Sequence, residues 1–228
     1  MSPASGLAVE IAAAYFMLFT LSALGALNGM RPVWVRKLAH ACTSLLALSY
    51  PYVLREGWAV ATMCGIILAH LAVIRAWPPA NDKFGVILGG LERDSWGDLF
   101  LPVAIGATYF LSGGQVILYS VPVLILGLAD PIAALVGSRF GRLRYPTFEG
   151  TKSIEGSAAF CLVAVVCATL VLSSFSETGR LRAFGVSAAL GVAVTLVEWI
   201  TWRGIDNLTV PLASWLVLHL CRGMALWA

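Results

Sequence analysis

The residues QVILYSVPVLILGLADPIAALV, Gln115–Val136, set the class of structure to which this chain belongs. They are almost all apolar, and their run is as long as a helix needs to cross the hydrocarbon core of a bilayer, about 20 residues. Asp130 is an exception, because a carboxylate within such a run is costly unless it has a partner or a function. The run therefore predicts a membrane-spanning helix that carries a chemically significant acid.

The same apolar pattern recurs on both sides of this run. Further runs occupy Leu7–Leu27, Leu38–Leu54, Gly57–Ile74, Asp98–Leu111, Ile154–Leu172, Phe184–Trp202 and Leu208–Leu220. The Asp98–Leu111 run is short, and the Gly85–Leu91 stretch before it has the composition of a re-entrant segment. We therefore predict seven or eight transmembrane helices.

The composition excludes most other classes of protein. The chain of 228 residues is 59% hydrophobic and 12% charged, whereas an average soluble domain is about 45–50% apolar and about 25% charged. So few charges cannot cover a surface in water, which excludes a soluble enzyme, a disordered chain and a nucleic-acid binder. We predict that residues 1–228 form a single integral membrane domain, an all-α polytopic bundle.

The Lys and Arg residues are divided unevenly between the two sides of the predicted bundle. Eleven of the 15 fall in alternate connections, namely Arg31, Arg36, Lys37, Arg75, Lys83, Arg93, Arg139, Arg142, Arg144, Lys152 and Arg203. The positive-inside rule places these connections in the cytosol. The compact chain favours a bacterial inner membrane, with an organellar membrane as the alternative.

Four carboxylates are predicted to meet at this cytosolic side. Asp130 and Glu198 lie near the cytosolic ends of the fifth and seventh spans, while Glu155 and Asp206 begin the sixth and eighth. Such a group is typical of a Mg²⁺–polyphosphate site, because Mg²⁺ prefers a few carboxylates together with phosphate oxygens and water. The basic connection 139–152 would neutralise the remaining phosphate charge.

The sequence around Asp130 also predicts two backbone features. Proline favours the first turn of a helix, so Asp130 is predicted to cap a helix that starts at Pro131. If the helix were interrupted there, the backbone N–H groups at the start of the new helix would point toward a bound anion. Ala133, Gly137 and Gly141 recur every four residues, a spacing that allows close packing of two helices.

These residues also have purely structural interpretations. Asp206 or Asn207 would cap the last helix, and Glu155 would complement the dipole of its own helix. One helical face of the second span carries three residues that would serve as membrane-boundary anchors, Arg36, Lys37 and His40. The charges at positions 92–98 would form a solvated loop unless that loop folds back over the site.

Taken in order, several motifs resemble those of the polyprenol/phytol/dolichol kinase family, whose relatives include CTP-dependent diacylglycerol kinases. The motifs are RKLAH at 36–40, ADPIAALVG at 129–137, KSIEGS at 152–157, Glu198 and DNLTVP at 206–211. The resemblance covers most of the chain from about residue 36 onward. It is also shared, more distantly, by phosphatidate cytidylyltransferases, but their C-terminal Gly-Gly and Asp-Arg-rich signature is absent from this sequence.

The resemblance implies phosphoryl transfer from a nucleoside triphosphate to the hydroxyl of a membrane lipid alcohol, with CTP favoured over ATP but the choice between them left open. The implied metal ligands are Asp130, Glu198 and Asp206, one of which would instead accept the proton of the alcohol, and the implied cofactor is Mg²⁺. Glu155 would bind metal or orient Lys152. The residues implied to bind nucleotide and phosphate are Arg36, Lys37, His40, Arg139, Arg142, Lys152, Ser153 and Asn207.

Two alternatives stay open from the sequence. Cytidylyl transfer to a lipid phosphate would use a similar set of residues. An ion-coupled transporter would use the buried acids as ion sites, although such sites usually lie near the midplane and between inverted repeats. The sequence leaves open the identity of the lipid alcohol, the oligomeric state and the carboxylate that acts as base.

Overall fold

The computed structural model describes residues 2–77, 96–147 and 150–227, and these residues form a bundle of helices. The helices in chain order are α1 (Pro3–Leu27), α2 (Pro32–Ala47), the single turn α3 (Tyr50–Val53), α4 (Gly57–Ala76), α5 (Gly97–Ser112), α6 (Val116–Phe140), α7 (Ile154–Phe175), α8 (Arg180–Ile200) and α9 (Asp206–Gly223). The prediction of an all-α polytopic bundle is thus confirmed.

Each predicted span has a counterpart among these helices. Within the described residues, five helices are long and apolar enough to cross a membrane, namely α1, α4, α6, α7 and α8. The helix α5 is a shorter apolar helix, in agreement with the short run from which it was predicted. The Gly85–Leu91 stretch, for which a re-entrant structure was considered, lies outside the described residues, as do Lys83 and the charges at 92–94.

The central helix is α6, which Gln115–Val136 predicted. One of its faces belongs to a core cluster that also includes residues of α7, α8 and α9, and it contributes Val121 and Ile125 to this cluster. Its other side packs with α2, α4 and α5 through Tyr119, Val123 and Leu126. Because α6 is buried on both sides, its apolar run is nearly continuous rather than amphipathic. The assignment of the whole chain to a single membrane domain stays a prediction.

The predicted break at Asp130–Pro131 is wrong. The helix α6 continues from Val116 to Phe140 and contains both Pro122 and Pro131. Each proline removes one backbone N–H from the helix, but packing on both sides of α6 holds the remaining turns in register. Asp130 is therefore a residue within a helix rather than the cap of one.

The connection 141–153 contains an antiparallel pair of strands that the sequence did not predict. Strand β1 (Arg144–Thr147) pairs with β2 (Gly150–Ser153), and Tyr145 lies opposite Lys152. The side chain of Ser153 then caps α7, since its Oγ accepts a hydrogen bond from the N–H of Gly156 at 3.1 Å. The strand pairing and the helix cap together fix the backbone position from which the Lys152 side chain extends.

Small residues bring α6 and α7 into close contact, as the four-residue spacing predicted. A Cβ atom added to Gly156 would lie 3.1 Å from the carbonyl oxygen of Ala133 and 3.3 Å from the Cα atom of Gly137. A Cβ atom on Gly137 would lie 2.9 Å from the Oγ atom of Ser153. These glycines therefore permit the contact that positions the β1–β2 hairpin.

We expect Gly156→Ala to destabilise the protein by about 1–3 kcal/mol, because the added methyl group meets backbone atoms that cannot turn aside. The measurement is the thermal unfolding midpoint in detergent. Gly185→Ala is the matched control, since a Cβ atom at this position within α8 meets nothing within 4 Å. Its midpoint should be unchanged or higher, because alanine favours a helix over glycine. Equal midpoints for the two variants would contradict the close contact.

Candidate active site

A cavity of about 1020 Å³ lies between α1, α2, α4 and α5 and extends to α6, α8, α9 and β2. One end of it is strongly charged, although the helices that form it are mostly apolar. The charged and polar residues at this end are Arg36, Lys37, His40, Arg75, Asp98, Asp130, Lys152, Glu198, Arg203, Asp206 and Asn207. We call this set the polar end of the cavity.

The second helix supplies the basic side of the polar end. The Nζ atom of Lys37 lies 2.8 Å from the Oδ2 atom of Asp130 on α6, and both side chains are part-buried. One turn further along α2, the Nε2 atom of His40 lies 2.9 Å from the carbonyl oxygen of Leu126. Arg36 lines the same cavity. These residues therefore face α6 and the cavity. Their contacts are more than those of the membrane-boundary anchors that their shared helical face predicted.

Lys152 joins the hairpin to α8. Its Nζ atom forms an ion pair with the side chain of Glu198 and donates a hydrogen bond of 2.9 Å to the carbonyl oxygen of the same residue. Glu198 is 7% exposed, and its Oε2 atom is buried without a hydrogen-bond partner among the described residues. Because a buried charged oxygen without a partner is costly, this atom marks a position where a cation or a donor would be stabilised.

The start of α9 brings Asp206 and Asn207 to the cavity. Asp206 is the first residue of the helix, and no side chain caps its N-terminus. The Nδ2 atom of Asn207 donates a hydrogen bond of 2.8 Å to the carbonyl oxygen of Gly97, at the start of α5. Asn207 thus ties α9 to α5 instead of capping α9, while Asp206 and Asp130 both line the cavity.

Two site residues were missed by sequence reasoning. Arg75 at the end of α4 makes a two-pronged ion pair with Asp98 of α5, with Nη2–Oδ1 and Nε–Oδ2 distances of 2.6 and 3.1 Å. The guanidinium of Arg75 also lies over the ring of Trp96. The charges at 92–98 were expected to form a solvated loop unless that loop folds back over the site, and Asp98 in fact lies in the first turn of α5 and faces the cavity. The pair can be recognised only from the tertiary structure, in which α4 and α5 are neighbours.

Four residues of the predicted site lie outside the lining of the cavity. They are Arg139, Arg142, Ser153 and Glu155. A carboxylate oxygen of Glu155 accepts hydrogen bonds from the backbone N–H groups of Arg142 and Leu143, at 2.9 and 3.2 Å. Glu155 and Ser153 therefore hold the connection between α6 and α7, and through it the strand that carries Lys152. The guanidinium of Arg139 lies over the ring of Phe140 at the end of α6.

The rest of the cavity is mostly apolar, and we call it the apolar compartment. It is formed by α1, α4 and α5 through residues such as Ile11, Leu18, Met63, Ile67 and Leu101. A polar contact joins α1 and α4 in this compartment, where the hydroxyl group of Tyr15 lies 3.3 Å from the Nδ1 atom of His70. The cavity therefore joins a charged end to an apolar space within a single volume.

The carboxylates do not form an all-protein metal cage. In the described part of the chain, no group of three or more His, Cys, Asp or Glu side chains has the geometry to hold a metal ion. A divalent cation at the polar end would therefore need ligands from water or from a bound molecule. Mg²⁺ commonly binds in this way, through one or two carboxylates together with phosphate oxygens and water.

The helices and the cavity define a polytopic membrane protein with a charged site at one end of an apolar space. The comparisons with known proteins agree. The chain is 32% identical, over 97% of its length, to the phytol kinase of Synechocystis sp., of which it covers 93%. It is 35% identical over 54% of its length to a probable chloroplastic phytol kinase of Triticum aestivum, of which it covers 38%. The chain therefore belongs to the polyprenol/phytol kinase family.

Two other comparisons found no match. No protein-family profile matches the chain, and no solved structure does. The assignment to the family therefore depends on the two sequence relatives and on the motifs from residue 36 onward.

Proposed function

We propose that this protein is a membrane-embedded lipid-alcohol kinase. It transfers the terminal phosphoryl group of a nucleoside triphosphate, CTP in preference to ATP, to the hydroxyl group of an isoprenoid alcohol such as phytol or of diacylglycerol. The observation that carries the proposal is the continuous cavity, which joins a cluster of cations and carboxylates to an apolar space. The names of the relatives support the same kind of acceptor, because one is named a phytol kinase and the other a probable phytol kinase.

The two parts of the cavity match the two substrates. An isoprenoid or acyl chain is stabilised in the apolar compartment by removal of its surface from water, about 25 cal/mol per Å². A polyphosphate is stabilised at the polar end, where Lys37, Lys152 and Arg36 provide positive charge. The lipid hydroxyl would then lie at the boundary between the parts, beside the transferred phosphoryl group.

The charged residues suggest individual roles. Phosphoryl transfer depends on positioning and on neutralising charge on the phosphate oxygens, which suits Lys37 and Lys152. The proton of the attacking hydroxyl needs an acceptor, and Asp130 and Asp206 are the candidate carboxylates. In the structure, both lysines form ion pairs with carboxylates. Binding of a triphosphate would exchange these carboxylates for phosphate oxygens.

The same residues fit Mg²⁺ as a cofactor that arrives with the nucleotide. The partnerless Oε2 atom of Glu198 and the carboxylates of Asp130 and Asp206 are oxygen ligands of the kind that Mg²⁺ prefers. When bound, the ion would neutralise charge on the phosphate groups. Because no three of the described acids are close enough together to hold a metal ion, its remaining ligands would be phosphate and water.

We also propose that the polar end faces the cytosol of a bacterial inner membrane. The cavity lining includes Arg36, Lys37, Arg75, Lys152 and Arg203, all members of the larger basic set. This sidedness supplies the water-soluble nucleotide from the compartment that contains it, while the alcohol comes from the bilayer.

The proposal is tested by transfer of label with the purified protein in detergent and Mg²⁺. CTP and ATP labelled at the γ-phosphate are each offered with phytol, farnesol, dolichol and diacylglycerol, and organic-extractable label is counted. We expect a labelled lipid phosphate, with CTP as the better donor. Label from α-labelled CTP in a lipid, with phosphatidate as acceptor, would indicate cytidylyl transfer and overturn the proposal. Absence of label in every reaction would overturn it as well.

A further inference from the structure

The lining of the apolar compartment ends part-way along α4, deep in the bundle and away from the polar end. Along α4, the cavity is lined in succession by Arg75, Leu71, Ile67 and Met63. Met63 is 1% exposed, and the next residues on the same face, Ala59 and Val60, are fully buried in the core. The lining therefore stops at Met63, which lies about 18 Å from Arg75 along the axis of α4.

The opposite wall at this depth is fixed by backbone packing. Ile11 of α1 lines the cavity there. One turn before it, Gly6 packs so closely on α3 that an added Cβ atom would lie 2.4 Å from the carbonyl oxygen of Val53. Between them, the carboxylate of Glu10 is hydrogen-bonded to the hydroxyl group of Ser49. The end of α1 that carries Ile11 is therefore held in place against α2 and α3.

From this geometry we infer that Met63 and Ile11 form the floor of the lipid-chain site and set the longest chain that the enzyme accepts. The inference rests on the proposed function, because it assumes that the hydroxyl group of the alcohol reacts at the polar end. A chain whose hydroxyl is held there extends along α4 until its terminal methyl groups meet Met63. A longer chain cannot be accommodated unless it bends or withdraws the hydroxyl.

The effect of the floor on selectivity follows from packing. Each methylene group that fits or is excluded from an apolar pocket changes kcat/KM by about tenfold or more. Met63→Ala removes side-chain volume at the floor and deepens the compartment. Ile11→Phe adds volume from the opposite wall and makes the compartment shallower. The two substitutions should therefore change the chain-length preference in opposite directions.

The test compares kcat/KM for geraniol, farnesol, geranylgeraniol and a longer polyprenol. We expect Met63→Ala to raise the ratio for the longest alcohol over farnesol by at least about tenfold, and Ile11→Phe to lower it similarly. Ile105→Ala is the matched control, because Ile105 is equally buried in the same core but does not line the cavity. It should reduce stability and leave the ratio unchanged.

A second measurement separates this inference from the proposed function. The shift in unfolding temperature caused by each alcohol, without nucleotide, reports occupation of the compartment independently of turnover. If the wild-type protein phosphorylates no alcohol, the proposed function is overturned. If Met63→Ala and Ile11→Phe nevertheless change how stabilisation depends on chain length, that result supports the floor. Unchanged profiles in both variants overturn the floor, whether or not phosphoryl transfer occurs.

Discussion

Asp130→Asn is expected to lower the rate of phosphoryl transfer by roughly a hundredfold to ten-thousandfold while the protein still folds and inserts. Asparagine has nearly the same shape as aspartate, so the packing of α6 is preserved. It cannot accept a proton from the alcohol, and it no longer provides a negative charge for Mg²⁺ or for Lys37. The measurement is the initial rate of label transfer at saturating nucleotide and lipid.

The effect on stability should be much smaller than the effect on rate. The side chains of Lys37 and Asp130 are 20% and 32% exposed, so water in the cavity partly compensates for the lost ion pair. Glu10→Gln is the matched control, because Glu10 is a buried carboxylate of a membrane-spanning helix that does not line the cavity. It should retain activity within a fewfold. Near-normal turnover in Asp130→Asn would contradict the proposed site.

Lys152→Ala is expected to have an effect of similar size, but with a second component. Under the proposed function its ammonium group would meet a phosphate oxygen, and loss of such a contact commonly lowers kcat by about 10²–10³-fold. Its removal also leaves the carboxylate of Glu198 buried without its cation, which destabilises a protein strongly. We therefore expect both the transfer rate and the unfolding midpoint to fall.

A double substitution separates these two components. Lys152→Met combined with Glu198→Gln removes both charges and retains side chains of similar size, so the unfolding midpoint should recover. Transfer should stay low, because neither the cation nor the carboxylate is restored. Recovery of transfer together with stability would show that Lys152 acts only through folding. Arg144→Ala, on the exposed part of β1 outside the cavity lining, is the control for loss of a basic residue from the hairpin.

Much of the architecture could be predicted from the sequence because it depends on local composition. Apolar runs of sufficient length identified the helices, and the spacing of Ala133, Gly137 and Gly141 identified the contact between α6 and α7. The cost of placing Asp130 and Glu198 within such runs singled out both residues. The alternation of helices then indicated that the acids share one end, and Asp130, Glu198 and Asp206 do line a common cavity.

Local features misled the prediction where packing decides the outcome. Asp130–Pro131 has the sequence of a helix start, yet α6 continues through it because neighbouring helices bury both of its sides. The expectation that Glu155 binds metal or orients Lys152 stays a prediction, but no local pattern foretold that the turn after α6 brings two backbone N–H groups to its carboxylate. The hairpin that carries Lys152 was missed because four-residue strands give too short a pattern to recognise.

The sequence by itself determined that this is a helical membrane protein with acids and bases gathered at one end, since burial cost and helix length follow from composition along the chain. Tertiary structure alone decided which charges pair. Lys37 meets Asp130 across 93 residues, and Lys152 meets Glu198 across 46. It also decided that an apolar compartment between α1 and α4 opens onto those pairs. Such contacts depend on which helices are neighbours and how each is rotated about its axis, and no local pattern specifies either.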